Sequence, residues 1–573
     1  MANKELARIF DAMADILEML GVAWKPIAFR KAARNLDALA DDVCDIYRQH
    51  GVEGLMEIPG VGEGIAKKIV AYLQTGKVKD YEQLKREIPR GVREMMAVPG
   101  LGPKKVWWLY THRKIDSLKK LEDAARKGKI RVLTGFGKKS EEDLLRGLEV
   151  VKKGKERRLL GEMLPLALHL KEELERQPFV KKVDVAGSLR RMKETVRDID
   201  LLVQSSQPEN VMTFFTSLPQ VETVLAKGGT KSSVVLREGI SCDVRVVRRH
   251  YGAALQYFSG SKEHCVHVRN LAIKKGYKLN EYGLFRKGKK ETFTCGNTEE
   301  EIYSALGMQY VPPELREDGG EVDAALQKAL PRLIGYDEVK GDLHMHTTWS
   351  DGLASTQDMV KAAVKMGYQY IAITDHSKST TIAHGLDEER LIKRIAELRK
   401  VQKGYPSLHL LAGSEVDILA DGRLDYSDSV LKHLDFVVGS VHSRFTMSEK
   451  EMTKRLLTAL DNRYLHVLGH PSGRLINQRS PYAFDVQKVI EKAGERGVAL
   501  EINSFPSRLD LRDAHVRIVV EQKGRLCITT DSHAPDHLRF IPYGIGQARR
   551  GWAEKKHVIN ARPWKQFERF LAR

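Results

Sequence analysis

Cysteine is scarce: five residues in 573, at Cys44, Cys242, Cys265, Cys295 and Cys527, with no CxxC pair. That pattern argues against a zinc ribbon and for a reducing compartment. Long apolar runs are missing too, and none approaches the ~18 residues that span a bilayer. No membrane partner is therefore expected. The first twenty residues carry acidic side chains and read as an amphipathic helix, unlike a secretory leader. Acidic residues are the third shortage. Against 95 Lys and Arg stand 76 Asp and Glu, giving a net charge of +19 and a pI of about 9.4. The excess favours a polyanionic partner, nucleic acid first, although a generally basic surface would give the same count. Hydrophobic content of 42% and charged content of 30% read as a globular chain. Its length exceeds the ~250–300 residues of a single core, so several domains are expected.

The histidines are unevenly placed, with 13 of 19 beyond residue 340. Just before that point, 310–341 is rich in Pro, Gly and charge and reads as a loose connector. The first 150 residues read as almost wholly helical. Within them "LMEIPGVGEGIAKKIVAYLQTG" (55–76) is echoed by "MMAVPGLGPKKVWWLY" (95–110), an apolar residue and a Gly-x-Gly turn leading into a helix. From 183 onward short β-rich runs follow one another, "VDVAGSLRR", "DIDLLVQ", "SVVLREG" and "CDVRVV". Beyond 340, seven strand-like runs alternate with helical stretches and predict a parallel, barrel-like sheet.

Six of those seven runs end in a potential metal ligand: His344 and His346, His376, Glu415, His442, His470, then Asp531 and His533, with Asp351 in the first loop. In a parallel βα barrel the carboxyl ends of the strands converge on one mouth. His-x-His and Asp-x-His suit strand ends because residues i and i+2 face the same side. Imidazoles mixed with carboxylates suit Zn²⁺, Mn²⁺ or Fe²⁺ and suit Ca²⁺ poorly. Nine ligands exceed one ion's needs, so two or three ions are implied, with Glu415 as a natural bridge. The expected chemistry is phosphoester hydrolysis. In this order, HxH with a downstream Asp, TDH, Glu, SVH, GHP and DSH resemble the PHP (polymerase and histidinol phosphatase) domain over about 340–573. The resemblance implies one ion on His344, His346, Glu415 and Asp531. It implies a second on Glu415, His442 and His470, and a third on Asp351, His376 and His533.

A second constellation lies in "VDVAGSLRRMKETVRDIDLLV" (183–203). Asp198 and Asp200 alternate with apolar residues on a strand, and Asp243 lies on a later one. Three carboxylates on one sheet face repel unless cations bind between them, and hard Mg²⁺ suits them. Gly187-Ser188 supplies a tight turn whose backbone N–H groups can hold phosphate. The ordered set "GSLRR…DID…D" resembles the nucleotidyltransferase palm of family X DNA polymerases, of which DNA polymerase β is the familiar member. The segment 257–285 resembles that family's thumb. The resemblance implies that Asp198, Asp200 and Asp243 bind Mg²⁺ or Mn²⁺, with Asp243 as base for the primer 3′-hydroxyl. It further implies that Gly187, Ser188, Arg191, Arg157 and Gly260 serve the incoming dNTP, that Tyr257 and Phe258 line its sugar pocket, and that Arg269 touches the template. Cys265, Lys262 and Val196-Arg197 depart from the family's usual residues, which bears on nucleotide affinity and fidelity.

In the repeats, turns at Gly60, Gly62, Gly100 and Gly102 would expose backbone N–H groups to phosphate, with Lys67, Lys68, Lys104 and Lys105 just beyond. A pair of packing turns is the plainer reading of the same residues. Both copies resemble helix-hairpin-helix motifs. That resemblance implies a monovalent cation, Na⁺ or K⁺, on the carbonyls of Met56, Ile58 and Val61 and on those of Met96, Val98 and Leu101. Lys68 matches the family's lyase lysine, with a plain phosphate contact as the alternative.

The fold expected is thus multidomain, α+β and α/β. It comprises a helix-hairpin-helix region (1–85), a fingers-like helical region with the second hairpin (86–150), a palm (151–250), a thumb (251–317), a linker (318–338) and a (β/α)7-like PHP barrel (339–573). The chain resembles the prokaryotic fusion of a family X DNA polymerase with a PHP domain. That implies filling of short gaps in base excision or end repair, with 3′–5′ exonuclease and either 3′-phosphatase or abasic-site endonuclease activity besides. The expected partners are gapped, nicked or primer-template DNA with a 5′-phosphate and dNTPs, met by a monomer in the cytoplasm at the nucleoid. A barrel that is a small-molecule phosphatase, or an inert scaffold, is the alternative.

Overall fold

The computed structural model describes residues 2–38, 42–58, 60–96, 98, 101–133, 136–137, 141, 144–145, 148, 157–288 and 291–572. They form two compact units. The first comprises Met1–Glu156 with Leu218–Lys227 and Ser233–Ser241; the second comprises Arg157–Ser217, Gly228–Ser232 and Cys242–Arg573. No helix among the described residues is long and apolar enough to cross a membrane.

The first unit is helical from Ala2–Met19 to Leu118–Arg126 and has two cores. One gathers Leu6, Phe10, Phe29, Leu55 and Ile65; the other gathers Val92, Leu109, Leu121 and Leu148. Each core holds the apolar flanks of one Gly-x-Gly turn, Ile58 and Val61 in the first, Val98 and Leu101 in the second. Helix Glu63–Thr75 starts from extended Gly62 and stops at Gly76, whose φ of 70° only glycine adopts freely.

In the second unit, strand Lys182–Val185 pairs antiparallel with Asp198–Gln204, Val183 opposite Val203. Ser241–Val247 is the next strand beside Asp198–Gln204. On it Cys242, Val244 and Val246 are buried, so Asp243 and Arg245 face the other side. Helices Tyr251–Ser259 and Lys262–Lys274 follow, then an antiparallel sheet of Tyr277–Asn280, Gly283–Arg286 and Thr292–Cys295. Val268, Leu279, Leu284 and Tyr303 form their core.

The stretch 318–338, expected as a linker, is packed. Val322 and Ala325 of helix Glu321–Leu326 join the core around Tyr303, and Ile334 joins the barrel core. Some of the charges that suggested a loose connector are paired with residues beyond it, Glu314 with Arg549 and Glu321 with His264. Glu321 is fully buried and its carboxylate lies 2.6 Å from His264 Nδ1.

The barrel has seven strands in sequential order, Gly341–Asp342, Tyr370–Ile373, His409–Asp417, Phe436–Ser440, Val467–Leu468, Ala499–Asn503 and Leu526–Thr529. All neighbours are parallel, and a parallel bridge between Met345 and Ser532 links the ends. The strands are apolar along their length because helices cover them outside and side chains fill them inside. Ser448 and Glu451 form a capping box on helix Glu449–Leu460, and Gly497, with φ 66°, ends helix Val486–Arg496. Such caps fix where each helix returns the chain to the next strand, so that every strand presents its carboxyl end to the same mouth.

Candidate functional site

All nine barrel residues meet at that mouth. Donor atoms of His346, Asp351, His376 and His533 lie within 4.8 Å of one another, as do those of His344, His346 and Asp531, and those of His376, Glu415 and His442. Glu415 is central. Its Oε2 is 3.3 Å from His344 Nε2 and 3.0 Å from His376 Nδ1; its Oε1 is 3.3 Å from His442 Nε2 and 2.9 Å from His470 Nε2. His346 and His376 each belong to two of the three groups, overlaps that the grouping implied by resemblance did not include.

The donor set fits divalent cations. His344 Nε2, both ring nitrogens of His346, His376 Nδ1 and His470 Nδ1 are buried without a hydrogen-bond partner. Such orphaned atoms cost ~1–3 kcal/mol each unless something is bound there. Burial, then the neighbouring His533 and His376, push the His346 pKa down to about 3, which keeps its imidazole in the neutral form a ligand needs. Two of the nine are also strained: His470 has φ 25° and Asp531 φ 52°, a cost that folds retain at functional sites.

Behind the nine stand residues that sequence reasoning passed over. Glu501 Oε1 lies 2.6 Å from His344 Nδ1 and accepts the Thr529 hydroxyl at 2.6 Å. Asp417 Oδ1 lies 2.5 Å from His442 Nδ1. Each carboxylate is placed to accept an Nδ1 proton, which would leave Nε2, facing the centre, to ligate a bound cation. Asn503 Nδ2 donates to Asp531 Oδ2 at 3.0 Å, and Arg508 Nε is 3.2 Å from the same oxygen. Glu501→Gln is expected to weaken divalent-cation binding about 10- to 100-fold. Titrating the metal-stripped protein with Mn²⁺ checks this, and an unchanged affinity would show that Glu501 does not orient His344.

The three aspartates of the other constellation share one side of their sheet. Burial first, then the Asp198 and Asp243 charges, lift Asp200 to about 7. Burial and then Asp243 raise Asp198. This mutual repulsion is what a bound cation relieves. Lys231, on the adjoining strand Lys231–Leu236, sits 2.9 Å from Asp243 Oδ2 and partly relieves it. Gly187 lies beside them with φ 61°, and a Cβ there would come within 2.1 Å of Asp200 Oδ2. Glycine is thus required both by conformation and by space. Ser188 is half-buried next to it.

The nucleotide contacts expected from sequence are spread around this face. Arg191 Nε lies 3.0 Å from Glu317 Oε1, and its Nη1 donates to the Ser259 carbonyl. Gly260, with φ 69°, packs against that guanidinium. Arg157 Nε donates to Thr195 Oγ1 at 2.8 Å. Tyr257 and Phe258 meet edge to face at 5.1 Å. Cys265 is buried behind them, its Sγ 3.6 Å from the Tyr257 carbonyl. Arg269 is half-buried on helix Lys262–Lys274.

In the hairpins, the Ile58 carbonyl accepts Val61 N–H at 2.9 Å and the Val98 carbonyl accepts Leu101 N–H at 3.1 Å, the same hydrogen bond at the same spacing in both copies. Gly60 has φ 86°; Gly100 lies outside the described residues, and Gly102 caps helix Pro103–Arg113. Met56 and Met96 precede the turns. Lys67 pairs with Glu63 at 2.7 Å, and Lys68 pairs with Asp80. Lys104 and Lys105 are exposed, Lys105 Nζ lying 5.2 Å from the Phe136 ring centre.

Family models match along the chain: a helix-hairpin-helix domain at 1–78, a SAM-like helix-hairpin-helix tandem at 92–149, a DNA polymerase beta thumb at 254–317 and a PHP domain at 342–505. The chain is 38% identical, over 579 aligned residues covering all of both proteins, to the DNA polymerase/3′–5′ exonuclease PolX of Bacillus subtilis. It is 32% identical over 168 residues to a probable phosphatase of Caldanaerobacter subterraneus, covering 28% of this chain and 61% of that one. It is 28% identical over 203 residues to the probable phosphatase YcdX of Escherichia coli, covering 34% and 78%.

Proposed function

The chain belongs to the PolX family of DNA polymerase/3′–5′ exonucleases, and from that premise we propose which residues carry each activity and on what DNA they act. It is a DNA polymerase and a 3′–5′ exonuclease in one polypeptide. The observation that carries the assignment is the presence of two separate constellations, three mutually repelling aspartates on a sheet and nine ligand-type side chains at a barrel mouth.

Asp198, Asp200 and Asp243 hold Mg²⁺ or Mn²⁺ at the polymerase site, and the nine barrel residues hold two or three ions from among Mn²⁺, Zn²⁺ and Fe²⁺. When bound, such ions neutralise phosphate charge and lower the pKa of a water or hydroxyl. The chain's own groups do the rest. An Asp243 carboxylate oxygen accepts the primer 3′-hydroxyl proton. Gly187, Ser188, Arg191 and Arg157 hold the triphosphate, with Gly260 close beside, and Tyr257 and Phe258 bound the sugar pocket. Arg269 contacts the template. At the barrel, Glu501 and Asp417 keep His344 and His442 in the ligating tautomer.

The hairpins grip DNA through backbone N–H groups at Gly60, Gly62, Gly100 and Gly102, with Lys67, Lys68, Lys104 and Lys105 near phosphates. Na⁺ or K⁺ rests on the carbonyls of Met56, Ile58 and Val61, and of Met96, Val98 and Leu101. Lys68 acts as a phosphate contact, exchanging Asp80 for DNA, in preference to a lyase role. The substrate is chromosomal DNA with a short gap and a 5′-phosphate, filled with dNTPs by a monomer after the barrel has trimmed the 3′ end. Gap filling in base excision or end repair follows from that pairing of activities.

A second reading rests on the barrel's likeness to the probable phosphatases, for which small phosphomonoesters would be the preferred substrate. We expect release of 3′-terminal nucleotides from a DNA primer to exceed hydrolysis of p-nitrophenyl phosphate by about 100-fold or more in kcat/KM, a difference of remote binding energy. Equal or reversed efficiencies in Mn²⁺ would favour the phosphatase.

A further inference from the structure

Within the second unit, the barrel sends a cation to the nucleotide end of the polymerase face. Arg550 ends helix Ile541–Arg550, and its side chain is 3% exposed. Its Nη1 donates to Glu317 Oε1 at 2.9 Å and to the Arg191 carbonyl at 2.8 Å. Its Nε and Nη2 donate to Asp513 Oδ2 at 2.9 and 2.6 Å. Glu317 Oε1 is the same oxygen that faces Arg191 Nε at 3.0 Å, and Glu317 Oε2 lies 3.7 Å from Lys193 Nζ. The helix is seated closely. A Cβ on Gly546 would fall 2.7 Å from Met192 Cε, and Gln547 Nε2 donates to the Met192 carbonyl at 3.1 Å. Arg550 therefore grips both the backbone of Arg191 and the carboxylate that competes for its guanidinium.

Charge balance gives this contact a function. Arg191, Lys193 and Arg550 face Glu317 and Asp513, three cations against two carboxylates. Without Arg550 the balance becomes two against two. Glu317 then falls wholly on Arg191 and Lys193, in a part-buried place where such pairing is weakly screened. We propose that Arg550, a barrel residue, is a positioning residue for nucleotide addition: by sharing Glu317 with Arg191 and holding the Arg191 backbone, it weakens that carboxylate's hold on the guanidinium and leaves part of the Arg191 charge to the incoming triphosphate. This rests on the reading of Arg191 as a triphosphate contact. The PHP half is then part of the polymerase site as well as a second enzyme.

The test measures kcat and KM for dNTP on one-nucleotide-gapped DNA with the full chain, and exonuclease rate beside them. Arg550→Met is expected to raise KM roughly tenfold, with kcat and exonuclease rate within about twofold. Glu317→Gln alone should leave KM at or below the wild-type value. Arg550→Met combined with Glu317→Gln should restore KM to within about threefold of wild type, since removing both partners leaves no stranded charge. An unchanged KM in Arg550→Met, or a double variant as impaired as Arg550→Met, overturns the proposal and reduces Arg550 to interface packing. If Arg550→Met loses both activities through misfolding, Glu317→Gln decides alone, a raised KM overturning the proposal. Arg191→Ala separates the two ideas. No rise in KM there refutes the Arg191 contact itself, whereas a rise there without one in Arg550→Met refutes only the role of Arg550.

Discussion

Nucleotide addition is expected to fall at least about a thousandfold when Asp198 and Asp200 are both replaced by asparagine, while release of 3′-terminal nucleotides stays within about twofold. The replacement keeps shape and removes charge, so what is lost is the ability to hold cations. Unfolding is not the cause, and the electrostatics say how to show it. Burial and the neighbouring Asp198 and Asp243 charges push the Asp200 carboxyl up to about 7. A carboxyl with a raised folded-state pKa penalises the fold above that value, where it must ionise, and carries no penalty below its unfolded value. In chelator, the double variant should therefore melt above the wild type at pH 8, with the difference shrinking towards pH 4. A variant that melts lower at pH 8 would mean that the aspartates stabilise the sheet and do not repel one another. Loss of both activities together would contradict the separation of the two sites.

The reciprocal change is expected from His344→Ala with His346→Ala. Exonuclease activity should drop by a thousandfold or so, while extension of a gapped primer stays near the wild-type rate. Both imidazoles are fully buried, and together they supply donors to two of the three ligand groups. Truncating them also leaves cavities, which cost ~2–5 kcal/mol for large-to-small changes in a core. The melting temperature should fall by a few degrees for that reason. Retained synthesis is the control, because a polymerase that still works reports a folded chain. If exonuclease activity survives, the barrel mouth is not its site and the nine side chains serve something else.

Much of this was legible in the sequence because it sits where periodicity is strongest. The barrel runs are largely apolar and six of the seven break at a residue of a type that coordinates metals, so both the strands and the mouth can be read from one pattern. Asp198, Asp200 and Asp243 are equally visible as polar breaks in alternating strands. Glu501 was hidden in "VALEIN", inside a run rather than at its end. The usable signal was that a lone carboxylate on a fully buried strand needs a partner, and His344 is that partner. Asp417 follows Glu415 at i+2 and so shares its side of the strand, a spacing as informative as His-x-His. The connector was misjudged as loose because composition counts charges without saying whether they are paired. Glu314 on Arg549 and Glu299 on Arg190 and Arg316 are buried ion pairs between segments distant in sequence. The same limit hid Arg550, whose relation to Arg191 spans 359 residues and exists only in three dimensions.

The most direct measurement uses a 5′-labelled primer bordering a one-nucleotide gap with a downstream 5′-phosphate, in Mn²⁺, with and without dNTPs. Extension by one nucleotide with dNTPs, and stepwise shortening from the 3′ end without them, is the result that two working sites in one chain predict. Extension without any shortening would contradict the barrel assignment, and shortening without extension would contradict the aspartate assignment.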